Sequence, residues 1–306
     1  MKNYNYAQYM RKYRVLITSA STGVDFDVSQ LRCVFTVNKK LSGTPDNSVI
    51  AVYNVTEESM TAIKPGDKVV LEAGYENGNY GMIFVGKIVQ VYMRHTESVD
   101  SGAVFVCTDG DQFLTQTVVC TTIGAGASQS DVVNECIGTG TDVMAGDITG
   151  SLSENRLSRG KVLFGRPSDY LEQIAKGNNS QFYIEDGRVN IVAAESYSDD
   201  IAVALTPQTG LISVPDQTDD GISGKCLINP SMRLNTRLYI DNRYTNAKEV
   251  SGSKEPEKMN ACGIYKITKL TYSGDTRGDD WYCEFEGVNM TGSVLSGLSG
   301  DQTNPW

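Results

Sequence analysis

Residues 48–112 decide the fold of this 306-residue chain. Their apolar runs read SVIAVY (48–53), KVVLEAGY (68–75), GMIFVGKI (81–88) and VFVCT (104–108). The runs are separated by the turn signals KPGD (64–67), ENGN (76–79) and DGD (109–111). Short β-branched runs bounded by Pro, Gly, Asn and Asp predict antiparallel strands joined by tight turns. The stretch contains no catalytic motif, no cluster of metal ligands and no phosphate-binding loop.

The same β pattern lies on both sides of this stretch. Upstream, strand-like runs read RVLIT (14–18) and CVFTV (33–37). After residue 200 the pattern returns, most clearly in YKITKLTY (265–272) and DWYCEFEGV (280–288). In the last run, Trp281, Cys283 and Phe285 fall on one face, which predicts a half-buried strand. The sequence therefore predicts two β segments.

Two local features are expected in the first β segment. The pair Asn77-Gly78 predicts a hairpin turn, because these residues tolerate positive φ angles. In the long run that follows, Val89 and Val91 are predicted to share one face. The alternation of this run breaks just after Gly86, which predicts a bulge or bend there.

The region between the β segments has a mixed character. Residues 128–137 combine a polar start with apolar positions at helical spacing, which predicts a capped helix. A second helix is predicted over residues 167–177, with Ser168 as its cap and Gly177 as its end. An Asp-Gly pair at 186–187 then joins two strands in a type I′ turn. These elements predict a small α+β module.

The chain is thus predicted to be mainly β, with four parts. We expect a first β domain at 1–119, the α+β module at 120–200 and a second β domain at 201–290. Residues 291–306 are rich in Gly and Ser and are predicted to form a flexible tail.

Composition excludes several classes of protein. A net charge of −10 disfavours a dedicated nucleic-acid binder, because an acidic surface repels phosphates. The seven cysteines are scattered without a C-x-x-C pair, which favours buried free thiols over disulfides or a zinc site. No apolar run is long enough to span a bilayer, and residues 1–9 lack the apolar core of a secretory signal. We therefore expect no membrane association, and a protein that stays in the cytoplasm or leaves inside a larger particle.

Candidate catalytic and metal-binding residues are few. His95 is the only histidine, so a histidine-dependent triad or metal site would rest on one residue. A calcium loop starting at Asp216 would have Leu227 at its twelfth position, where an oxygen ligand is required. Carboxylate pairs that could serve a glycosidase are Asp109/Asp111, Glu57/Glu58 and Asp199/Asp200. Adjacent acids in turns usually face water, so we predict no catalytic residue, no metal site and no cofactor.

Exposed aromatic residues near the chain ends are candidates for partner contact. Tyrosine and tryptophan are favoured at interfaces, which directs attention to Tyr4, Tyr6, Tyr9 and Trp306. For the tyrosines the alternative is packing on the chain's own β domain. For Trp306 the alternatives are a disordered end and a tail that folds back on the same chain.

The order of these features resembles the baseplate hub proteins of contractile-tailed bacteriophages, which are related to the amino-terminal part of type VI secretion spike proteins. The resemblance rests on residues 48–112, on the helix 168–176 followed by FYIEDGRVNI (182–191), and on the closing hairpin within residues 267–281. It implies two tube-like antiparallel β-barrel domains per chain and three chains in a ring. It also implies a place in the virion tail baseplate, after assembly in the host cytoplasm.

The resemblance further implies the partners. Such a trimeric ring adapts a sixfold tail tube, or a neighbouring ring protein, to a threefold central spike. The tape-measure protein and DNA would pass through its lumen without specific binding. One alternative is another ring-forming tail component, such as a tube or distal-tail protein, although the helical module disfavours a plain tube protein. Another is a carbohydrate-binding or cell-wall-degrading β protein, although only Trp281 and Trp306 could stack on sugars.

Overall fold

The structure, a computed structural model, describes residues 8–95, 101–148, 152–197, 202–217, 221–240 and 263–289. The helices within these ranges are α1 (Glu57–Ala62), α2 (Asp111–Thr115), α3 (Gln129–Gly138) and α4 (Pro167–Gly177). The first nine strands are β1 (Arg11–Thr18), β2 (Asp25–Asp27), β3 (Cys33–Lys40), β4 (Asn47–Tyr53), β5 (Lys68–Tyr75), β6 (Tyr80–His95), β7 (Ser101–Thr108), β8 (Val119–Ile123) and β9 (Met144–Ala145). The other nine are β10 (Lys161–Gly165), β11 (Ser180–Glu185), β12 (Arg188–Ala193), β13 (Val203–Leu205), β14 (Asp216–Gln217), β15 (Gly221–Leu227), β16 (Arg237–Ile240), β17 (Ile264–Asp275) and β18 (Trp281–Asn289).

Thirteen of the described strands form one sheet that runs through both β segments. Its strand order is β14-β15-β18-β17-β3-β4-β7-β6-β5-β1-β2, with β16 added beside β17 and β13 beside β16. The two segments join where β3 and β17 pair antiparallel, from Val34 opposite Asp275 to Lys40 opposite Lys269. Over the described strands this path does not close on itself and ends at β2 and β14. The prediction of a mainly β protein is confirmed.

One hydrophobic core lies along this sheet and draws on both β segments. Phe35 of the first segment packs edge to face on Trp281 of the second, with ring centroids 5.6 Å apart. The predicted face of Trp281, Cys283 and Phe285 is buried, as expected for a half-buried strand. Tyr272 is also buried, and its hydroxyl donates to the Met232 carbonyl at 2.6 Å. The shared core makes the two β segments one packing unit.

The α+β module has a second core of its own, built from α2, α3, α4, β8, β10 and the β11–β12 hairpin. The predicted cap of α3 is present, because the Ser128 hydroxyl accepts from the Asp131 N–H and the Asp131 carboxylate accepts from the Ser128 N–H. The predicted cap of α4 is wrong: Arg166 is its N-cap and Pro167 occupies the first turn. Ser168 instead lies buried, with its hydroxyl donating to the Leu114 carbonyl. The domain boundaries assigned from the sequence stay a prediction.

The turns show why residue type alone does not fix backbone conformation. The 185–188 hairpin has the expected type I′ character, since Asp186 (φ 53°) and Gly187 (φ 74°) are both left-handed. The β5–β6 turn lies where Asn77-Gly78 predicted it, but neither of these residues has positive φ. Gly74 has it instead, at φ 149°, where a Cβ would lie 2.1 Å from the Asn79 carbonyl oxygen. Glycine is therefore required at Gly74 in β5, four residues before the Gly78 that the sequence pattern indicated.

Strand β6 contains two register shifts. One lies opposite Leu71 of β5, and the other lies between Ile88 and Gln90 where β6 pairs with β7. The extra residue of the second bulge is Val89, which is exposed, whereas Ile88 is buried. Val91 packs against the core, so the prediction that Val89 and Val91 share a face is wrong. The bulge itself occurs close to the expected place, a few residues after Gly86.

Candidate functional site

The predicted partner-contact residues are placed only in part. Tyr9 is 72% exposed, so it is not packed on the chain's own sheet, and its contact with a partner stays a prediction. Its neighbour Gln8 donates from Nε2 to the Thr209 carbonyl at 3.0 Å, which ties this end of the described chain to the second β segment. Tyr4, Tyr6 and Trp306 lie outside the described residues, and their roles stay a prediction.

The candidate catalytic residues that the structure describes lie in or beside different elements of the fold. His95 is the last residue of β6. Asp111 opens α2, whereas Asp109 faces the module and accepts from the Gly187 N–H at 2.9 Å. Glu57 and Glu58 open the short helix α1. Asp199 and Asp200 lie outside the described residues.

Asp216, the first residue of the considered calcium loop, begins β14 and is exposed. Within the described ranges, no three His, Cys, Asp or Glu side chains are grouped so that they could hold a metal ion. No described helix is long and apolar enough to cross a membrane.

The most strongly organised polar site is the junction between the main sheet and the module. Lys39 of β3 places Nζ 3.1 Å from Glu185 Oε1 and 2.9 Å from Asp186 Oδ1, at the tip of the β11–β12 hairpin. All three side chains are nearly buried. Arg233 adds a longer contact, with Nη1 3.9 Å from Asp186 Oδ2. We call Lys39, Asp109, Glu185, Asp186 and Arg233 the junction cluster.

Burial and charge act in opposite directions on these groups. Burial alone would lower the pKa of Lys39, but the Asp186 and Glu185 carboxylates outweigh it and raise that pKa above its usual value. Burial raises the pKa of Glu185, against the opposing effect of Lys39. For Asp109, burial and the negative charge of Asp186 together raise the pKa to about 7. Lys39 is therefore the cation that holds this acidic group of side chains together.

Other contacts fix the module around this cluster. Lys266 of β17 donates from Nζ to the Ala194 carbonyl at 3.1 Å, and burial lowers the pKa of Lys266 to about 8. On the apolar side, Tyr183 and Val192 of the hairpin pack with Leu234. The junction thus combines charge pairs, a lysine-to-carbonyl hydrogen bond and a small hydrophobic cluster. Its geometry supports a mechanical role, the rigid attachment of the module to the sheet.

Two exposed apolar side chains lie on the outer face of the main sheet. Val49 of β4 and Tyr92 of β6 lie on the face turned away from the core, opposite Val106 and Val104 of the intervening strand β7. Val49 and Tyr92 are both exposed.

The cysteines were predicted to be buried free thiols. The cysteines for which this is confirmed are Cys33, Cys107, Cys136, Cys226 and Cys283. Cys120 is exposed and departs from the prediction. Cys262 lies outside the described residues.

Comparison with solved structures finds the same fold in tail proteins. The 43 kDa tail protein of prophage MuSo2 from Shewanella oneidensis superposes with a TM-score of 0.59 at 10% identity, covering 91% of this chain and 99% of that one. A tail protein from Neisseria meningitidis MC58 gives a TM-score of 0.59 at 8% identity, covering 91% and 97%. An E. coli component of the type VI secretion system, described as similar to the T4 tail proteins gp27 and gp5, gives 0.53 at 10% identity, covering 84% and 73%.

This chain therefore has the fold of phage tail proteins and of a type VI secretion component. The resemblance drawn from the sequence is confirmed at the level of fold. No protein-family model and no curated protein matches the sequence. The likeness to these tail proteins is therefore one of fold, at 8–10% sequence identity.

Proposed function

We propose that this protein is the structural baseplate hub of a contractile phage tail, and that it forms a trimeric ring. The observation that carries the proposal is the shared fold, which spans 91% of this chain and 99% of the MuSo2 tail protein. The continuous sheet supports it, because a rigid two-segment body is suited to a ring that must transmit force. In this role the ring adapts the sixfold tail tube, or a neighbouring ring protein, to the threefold central spike.

The proposal includes passage of DNA and the tape-measure protein through the lumen without specific binding. The net charge of −10 supports this, because a basic wall would retain phosphates by salt-dependent attraction. The protein would be located in the virion tail, after assembly in the host cytoplasm.

We also propose that the protein has no catalytic role. Of the carboxylates that could have served a glycosidase, Asp109 accepts a hydrogen bond from the Gly187 N–H and Asp111 lies at the start of α2. Trp281 is 2% exposed and cannot stack on a sugar. These placements favour the hub over a cell-wall-degrading or carbohydrate-binding protein.

Copy number and position in tail particles test the proposal. Tails would be purified from the source and this chain quantified by mass spectrometry against the tube subunit, with immunogold labelling to locate it. We expect three copies per tail, at the baseplate end. Six copies in one ring, or copies along the tail, would favour a distal-tail or tube protein instead. Absence from intact tails would reject a tail role.

A further inference from the structure

The two-stranded ribbon β8–β10 presents apolar side chains to solvent on one face. Phe164 of β10 lies directly opposite Cys120 of β8, so their side chains share that face. Val162 projects from the same face of β10, two residues before Phe164. Val162 is 66% and Phe164 72% exposed, and Val118, just before β8, is also exposed. We call Val118, Cys120, Val162 and Phe164 the ribbon surface.

The exposure of the ribbon surface is built into the fold. The opposite face of the ribbon is anchored in the module core by Leu163 and Val119, both fully buried. The Tyr170 hydroxyl of α4 accepts from the Phe164 N–H at 3.1 Å and donates to the Phe164 carbonyl at 3.2 Å. The backbone of Phe164 is thus fixed by hydrogen bonds while its side chain stays exposed, which reduces the backbone ordering that binding would require.

The ribbon surface is also flanked by positive charge on an acidic chain. Residues 156–166 read RLSRGKVLFGR, with four basic residues and no acid, and residues 117–128 carry no charge. The chain as a whole carries −10, so the remainder carries −14, because −10 minus +4 is −14. One of the four, Arg166, has an acidic neighbour in Asp169 at 3.4 Å. The basic flank is therefore opposite in net charge to the remainder of the same chain.

We propose that the ribbon surface is a contact between copies of this chain, in which it meets an acidic surface of the neighbouring copy. The basic flank would repel itself across a twofold contact, so the interface must join two different surfaces. Contacts of that heterologous kind generate rings when the rotation closes. This inference rests on the proposed ring function and adds which surface joins the copies.

Sedimentation velocity of the full-length protein over a range of concentrations tests the inference. The test variant is Val162→Ser with Phe164→Ser, and the matched control is Val214→Ser, which removes an apolar side chain that is 51% exposed outside the ribbon. We expect the wild type and the control to associate alike. We expect the double variant to associate at least about 10-fold more weakly, as for loss of a central aromatic anchor. Circular dichroism confirms folding, since both substituted side chains face solvent.

Charge and chemical labelling give two independent readouts. Arg159 is exposed, so Arg159→Glu should weaken association at low salt without altering the fold, and added salt should weaken the wild type. The alkylation rate of Cys120 should fall as the protein concentration rises through the association range. It should stay constant in the double variant.

The outcomes separate this inference from the proposed function. A double variant that associates as tightly as the wild type overturns the inference and leaves the ring standing on another surface. A wild type that stays monomeric at every concentration and salt also overturns the inference. The copy number in tail particles then decides the hub function by itself.

Discussion

Replacing Lys39 with methionine should destabilise the protein far more than the same change at its neighbour Lys40. Lys39 contacts two nearly buried carboxylates, Glu185 at 3.1 Å and Asp186 at 2.9 Å. Removing one partner of a buried ion pair costs about 3–5 kcal/mol, because the remaining charge is left buried and unpaired. Lys40 pairs with Asp46 at 2.7 Å, but its side chain is 46% exposed. An exposed pair of this kind contributes about 0–1 kcal/mol.

Urea denaturation and calorimetry at pH 7 measure both variants against the wild type. A loss of 3–5 kcal/mol corresponds to a fall in melting temperature of roughly 6–20 °C for Lys39→Met, at the slope of about 2–4 °C per kcal/mol typical of chains of roughly 150–250 residues. Hydrogen exchange should show the first loss of protection in β11 and β12, because the hairpin tip loses its cation. Lys40→Met should change the free energy of unfolding by no more than about 1 kcal/mol relative to the wild type.

A rescue variant tests the electrostatic reason. Adding Glu185→Gln and Asp186→Asn to Lys39→Met removes the unpaired charges, so it should recover a large part of the lost free energy of unfolding. Equal losses for Lys39→Met and Lys40→Met would refute the reasoning. So would a rescue variant less stable than Lys39→Met alone, because packing and not charge would then control the junction.

Three further predictions concern pH, packing and thiol reactivity. The pKa of Asp109 rises from 3.8 to about 7 on folding, so between these values the folded state binds more protons than the unfolded state. The free energy of unfolding should therefore fall as pH rises through this range. In urea titrations, Asp109→Asn should flatten this fall and be more stable than the wild type at pH 8. Gly274→Ala places a Cβ 2.3 Å from the Phe35 ring and should cost at least about 1–3 kcal/mol, whereas Gly124→Ala meets nothing within 4 Å and should be nearly neutral by calorimetry. Peptide mapping after brief alkylation of the native protein should find Cys120 modified and the five buried cysteines intact until denaturant is added; labelling of the buried thiols at the same rate as Cys120 would contradict the packed core.

The strand pattern and several turns could be predicted from the sequence because they depend on local chemistry. Alternation placed Trp281, Cys283 and Phe285 on the buried face, and the Asp-Gly pair at 186–187 gave the type I′ turn. The broken alternation after Gly86 predicted an irregularity but did not place the extra residue at Val89, and this residue changes the face of every position that follows it. The cap of α4 was misplaced for a similar reason, since tertiary burial takes Ser168 into the core.

The junction cluster could not be predicted, because it joins residues far apart in sequence. Lys39 lies near the end of a strand, and the hairpin acids lie about 146 positions later. Adjacent acids in turns were expected to face water. Instead, Asp109 accepts from the Gly187 N–H of the β11–β12 turn, close enough to Asp186 for the negative charge of Asp186 to raise the pKa of Asp109. The only sequence signal was an Asp-Gly pair in both turns, at 109–110 and 186–187. That signal identifies turns, whereas the meeting of the two turns depends on the whole fold.

The pairing of β3 with β17 has a consequence for synthesis of the chain. Val34 cannot pair with Asp275 until about 240 more residues have been synthesised. At about 5–20 residues per second, that interval lasts roughly 10–50 s on the ribosome. During this time β3 has β4 on one side and an unpaired edge on the other, a template for wrong partners. Lys39 and Lys40 lie at the end of that edge strand, and their positive charges disfavour pairing with a wrong strand before β17 is made. The last two described strands, β17 and β18, therefore join the two β segments only after the chain before them has been made.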